Sequence, residues 1–142
     1  NIMFANFDYS QSPLIKVKFS ENIIDDQDLQ NFMDKWFELY DQKKYFSFLF
    51  DTSDCGLISI RYCSIFSKFL KELKSREERY LNQSVIIVRS KWIRYLLKTT
   101  FFIQRPISPV YLVNDEQTAY EVYNRIMNKQ DLDGLDYSYV DN

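Results

Sequence analysis

The stretch Tyr45-Phe-Ser-Phe-Leu-Phe-Asp51-Thr-Ser-Asp-Cys-Gly-Leu-Ile-Ser59 decides the fold of this chain. Its first half, Tyr45 to Phe50, is almost wholly apolar, the pattern of a strand covered on both faces of a sheet. Its second half is short and polar, and a long amphipathic segment follows. A buried strand that empties through a loop into a helix is the repeating unit of an α/β domain. The loop at the carboxyl end of such a strand is where these folds usually place ligands, so Asp51, Thr52, Ser53, Asp54, Ser59 and Arg61 are the first candidate site, for a ligand or a partner.

Reading outward, Ile2 to Tyr9 and Leu14 to Phe19 are strand-like and are separated by a turn at Ser10-Gln-Ser-Pro13. In the second, Ile15, Val17 and Phe19 alternate with Lys16 and Lys18, which leaves one face wet. Asp25 or Asp26 caps a helix with Leu29, Phe32, Met33, Trp36, Phe37 and Tyr40 on one side. Ser59 caps the next, whose stripe is Tyr62, Ile65, Phe66, Phe69, Leu70 and Leu73. Val85 to Val88 and Val110 to Val113 read as two more buried strands. Ser90 starts the helix between them, and Asn114-Asp-Glu-Gln117 opens the last. The order ββ-αβ-αβ-αβ-α predicts a mixed sheet of about five strands with a parallel centre, an N-terminal hairpin as its antiparallel edge, and four helices. Residues 1–128 form one α/β domain in this reading, and 129–142 an acidic tail.

Composition excludes several chemistries. The 142 residues contain no His, the commonest general base and metal ligand. Two Gly and three Pro argue against Gly-rich phosphate loops. A net charge of −2 gives no global pull toward nucleic acid or anionic membrane. No apolar run reaches the roughly 18 residues of a membrane span, and the start lacks the basic-then-apolar profile of a secretory leader. Cys55 and Cys63 lack CxxC spacing and read as free thiols in a reducing, cytoplasmic setting. Neither a metal site nor a cofactor is expected.

From about Leu14 to Met127 the chain resembles the STAS domain, the sulfate-transporter and anti-sigma-factor-antagonist fold of SpoIIAA-like proteins. Phe48-Leu-Phe-Asp51 is similar to the family's strand ending in Leu-Asp-Leu. Val85-Ile-Ile-Val-Arg-Ser90 and Lys91-Trp-Ile-Arg-Tyr-Leu-Leu97 are similar to its next strand and helix, with a Phe-rich turn at Thr99-Thr-Phe-Phe102. Val110-Tyr-Leu-Val113 and Asn114-Asp-Glu-Gln-Thr-Ala119 look like its closing strand and terminal helix. The resemblance implies a non-catalytic regulatory module that binds a protein partner. Antagonists of the family carry Asp-Ser-Ser-Gly at the start of the long helix and switch by phosphorylation of a serine there. Counted from Asp51, those positions fall at about Ser59, Ile60, Arg61 and Tyr62, so the acceptor serine is replaced by Ile60 or Arg61. Thr52, Ser53 and Ser59 lie near but not at the matching position.

Arg89, Lys91, Arg94, Lys98 and Arg105 form a basic run with no acid between 89 and 105, and Lys91, Arg94 and Lys98 share a helical face beside Tyr95. Such a face suits phosphate, RNA or an acidic partner, or is a solvated helix surface. A chain whose main task is nucleic-acid binding would be more basic overall. The Asp51–Asp54 loop, which could face an anion or a metal, reads first as an Asx or ST turn that caps the strand and leads to the helix. The segment Asp131–Asp136 departs from a calcium loop, with an early Gly and no closing Glu. The tail is expected to fray, to dock through Leu135, Tyr137 and Tyr139, or to fold onto the basic face. Two functions follow: a non-catalytic STAS-like interaction module, possible as a homodimer through the hairpin edge, and a small-ligand domain holding a nucleotide or lipid at the Asp51–Ser59 loop.

Overall fold

A computed structural model describes residues 3–21, 23 and 25–142. Its sheet has six strands in the unbroken order β1-β2-β3-β4-β5-β6. These are β1 (Ala5–Asp8), β2 (Leu14–Phe19), β3 (Phe46–Asp51), β4 (Leu81–Ile87), β5 (Val110–Val113) and β6 (Ser138–Val140). Strands β2 to β5 are parallel, and the two outer pairs, β1/β2 and β5/β6, are antiparallel. The helices are α1 (Asp26–Asp41), α2 (Arg61–Lys74), α3 (Lys91–Ile103) and α4 (Glu116–Met127). The predicted parallel centre, hairpin edge and four helices are all present. Ile2, placed in the first strand by pattern, lies outside the described residues.

The sixth strand corrects the expected tail. Ser138 to Val140 pair with β5, Val110 opposite Val140 and Tyr111 opposite Tyr139. Leu132 and Leu135 pack on the α4 side of the sheet. The acidic segment therefore neither frays nor folds onto the basic face. Tyr111 accounts for this, because its ring meets those of Tyr137 and Tyr139 at 5.9 and 5.2 Å and gives the short strand an aromatic anchor.

Helix placement follows from strand order. Right-handed crossovers that always step to the next strand in one direction put their helices on one face. Accordingly α1, α2 and α3 cover one face, where Trp36, Phe69 and Leu96 meet Phe48, Phe50, Ile86 and Leu112. Helix α4 precedes an antiparallel strand and is free of that constraint. It lies on the other face, with Ala119 and Val122 against Leu49, Val85, Ile87 and Val113. Period-2 alternation along β3 feeds both layers: Phe46, Phe48 and Phe50 to the first, Leu49 to the second. Trp36 anchors the first layer, with ring centroids 4.8 Å from Phe48 and 5.2 Å from Phe69.

Two helix starts match the sequence pattern, and the last falls one residue later, at Asp115 rather than Asn114. Asp25 and Asp28 form a reciprocal capping box at α1. Ser90 Oγ accepts from the Ile93 N–H at α3 and Asp115 Oδ1 from the Thr118 N–H at α4. Helix α2 differs, because its N-cap is Ile60 with no side-chain cap. Ser59 Oγ accepts only a 3.4 Å contact from the Arg61 N–H. The chain instead enters α2 through tight turns, Tyr62 N–H to Ser59 O and Cys63 N–H to Ile60 O.

Candidate functional site

The loop after β3 is closed by its own bonds. Asp51, 7 % exposed, accepts from both the N–H and the hydroxyl of Ser53 on one carboxylate oxygen, at 2.9 and 2.5 Å. Thr52 Oγ1 donates to Ile87 O at 2.6 Å and pins the loop to β4. Cys55 N–H donates to Thr52 O, and Gly56 N–H to Glu21 O. Asp54 lies at the surface, 3.6 Å from the Lys18 ammonium. Arg61 pairs with Asp26 of α1 at 2.5 Å and stacks over the Tyr62 ring. The hydrogen bond from Arg61 holds the Asp26 carboxyl below its usual range. This is a strand-capping Asx turn with its hydroxyls and acids already engaged. Ile60, at a position where the STAS resemblance would put the switch, is 47 % exposed and has no hydroxyl.

Strand order supplies the deeper reason. Open α/β sheets bind ligands in a crevice where the strand order reverses. This order never reverses, so strand order sets no switch point at the carboxyl end of β3. Burial, with Asp51 and Asp54 nearby, pushes the Cys55 thiol up to about 12. Cys63 is buried in α2 and its thiol reaches Leu96 O at 3.5 Å. Among the described residues no three His, Cys, Asp or Glu converge on a metal-sized site.

The basic residues divide by position. Lys91, Arg94 and Lys98 lie on α3. Arg89 Nε donates to Asn114 O at 3.1 Å, and Arg105 follows the helix at its opposite end. None of the five forms an ion pair among the described residues. The buried side of α3 is Ile93, Leu96 and Thr100. Its exposed side carries Lys91, Tyr95, Lys98 and Phe102, spaced i, i+4, i+7, i+11 and so aligned in one stripe. Phe102 is 92 % exposed. Trp92 Nε1 donates to Ile58 O at 2.8 Å and ties the β3–α2 loop to the first turn of α3. Leu57, the neighbour of Ile58, is 87 % exposed. Helical spacing already put Lys91, Arg94 and Lys98 on one face beside Tyr95; what it left out is Phe102, whose exposure depends on how α3 sits against the sheet.

A second feature carries no sequence signature. Between the sheet and α1–α3 lies a cavity of about 160 Å³, walled by Phe, Leu, Ile and Trp side chains and reached by Thr52, Cys55, Ile58 and Ser59 of the loop. Two lining residues, Trp36 and Ser108, bear buried polar atoms without a hydrogen-bond partner.

No helix among the described residues is long and apolar enough to cross a membrane. No protein-family model matches the chain, and no curated protein matches it.

Proposed function

We propose that the chain is a non-catalytic, STAS-like interaction module that docks an acidic, apolar segment of a protein partner on the outward face of α3. The observation that carries this reading is the stripe Lys91, Tyr95, Lys98 and Phe102, with Arg94 beside it: cations that form no ion pair among the described residues, alternating with exposed rings. Rim cations of this kind steer an acidic partner and fix its register, while an exposed aromatic supplies the anchor. The apolar tip at Leu57 extends the surface past the start of α3.

The remaining polar chemistry supports binding over catalysis. Asp51 is engaged by Ser53 within its turn, Asp54 by Lys18 and Arg61 by Asp26, so the loop's polar groups serve its own geometry. The hairpin edge and parallel centre support the STAS-like reading, and Ile60 and Arg61 in place of the serine support a constitutive rather than a phosphorylation-switched surface.

Selection of random displayed peptides against the wild-type chain and against Lys91→Glu/Lys98→Glu tests it. Acidic peptides with one or two large apolar residues should enrich on the wild type only, and their binding should weaken with added salt. Equal enrichment on both chains, or none on either, overturns the proposal.

A further inference from the structure

We propose that the cavity between the sheet and α1–α3 is a binding site for a small uncharged hydrocarbon group, either a free apolar molecule or the end of an acyl chain. Its volume, about 160 Å³, far exceeds the voids left by ordinary packing, few of which are larger than a water molecule. Engineered apolar cavities of about 150 Å³ stay dry and take up benzene or xenon. The wall chemistry here is of that type. Phe32, Phe50, Phe66, Ile86 and Leu96 line it, and three of its polar groups are taken up by backbone carbonyls: Thr52 donates to Ile87 O, Thr100 to Leu96 O, and Cys63 to Leu96 O. Trp36 Nε1 and Ser108 Oγ are the two buried polar atoms on the wall without a partner.

The same walls discriminate among ligands. A nucleotide needs donors for its phosphates, yet the loop beside the cavity presents Asp51 and Asp54, which repel an anion. A hydrocarbon needs only apolar area and room. The way in runs beside the loop, where Cys55 and Ile58 are only partly buried and Ser59 is exposed. This site is separate from the α3 stripe, so either can fail without the other.

The test is a titration of the ¹⁵N- and methyl-labelled full chain, followed by NMR, with three probes: benzene, octanol and dihexanoyl phosphatidylcholine below its micelle concentration. Saturable shifts at lining residues such as Phe50, Ile86 and Leu96 are expected. Response to benzene alone assigns a compact free molecule. Response to octanol or the lipid assigns an acyl chain. Thr100→Leu adds carbon to the wall and should weaken the best probe by about tenfold or more. If that variant does not fold, the wild-type titration decides. Absence of saturable shifts with all three probes, or shifts scattered over the surface, overturns the proposal.

Discussion

Single buried groups make the sharpest statements at the residue scale. Ser108, 4 % exposed, holds a hydroxyl without a partner, and such a group retains its desolvation cost. Ser108→Ala should raise stability by about 1 kcal/mol in urea unfolding, and a loss of stability would show that the hydroxyl is bonded. Cys55 gives a pH dependence. Its folded thiol stays protonated up to about 12, whereas an unperturbed thiol ionises near 9.0. The unfolded chain therefore loses its proton first, and stability falls as pH rises from 9 toward 12. Wild type should lose about 1 kcal/mol more than Cys55→Ala between pH 8 and pH 10. Parallel curves for the two chains would refute the burial assigned to this thiol.

At the scale of elements, α4 ends in a Schellman motif closed by a residue poorly suited to it. The Lys129 N–H donates to Ile126 O and the Gln130 N–H to Arg125 O, with Lys129 at a φ of 56°. That left-handed conformation favours glycine. Lys129→Gly should raise the melting midpoint, with a gain of about 0.5–1 kcal/mol, and a lower midpoint would contradict the cap. Legibility in the sequence follows the same physics. Strand β5 and the caps of α1 and α3 were readable because a short apolar run and a capping side chain are local signals. The uncapped start of α2 was not, since its position is set by loop bonds to β4 and Glu21. Strand β6 was hidden because three residues rich in polar groups pair only once Tyr111 presents an edge. The cavity was hidden for a stronger reason: it depends on how three helices sit together, and no spacing encodes a void.

For the whole molecule, one direction of strand order accounts for three features. It gathers α1–α3 on one face, gives the loop after β3 no switch point, and leaves β1 and β6 as the sheet's two edges. Edge strands invite pairing with other chains, and β6 shields the longer, apolar β5. A chain lacking residues 138–142 should keep its helical circular dichroism yet self-associate with rising concentration in sedimentation velocity. A truncated chain that stays monomeric would mean that β6 has no shielding role.

The central claim is that α3 presents a partner surface. It is tested most directly by an NMR titration of the labelled chain with a synthetic acidic peptide bearing two large apolar residues. The account predicts shifts concentrated at Lys91, Tyr95, Lys98 and Phe102, binding that weakens with salt, and an affinity about tenfold lower or worse for Lys91→Glu/Lys98→Glu. Shifts centred on the Asp51–Ser59 loop or the sheet edges, or an unchanged affinity in the charge-reversed chain, would contradict it.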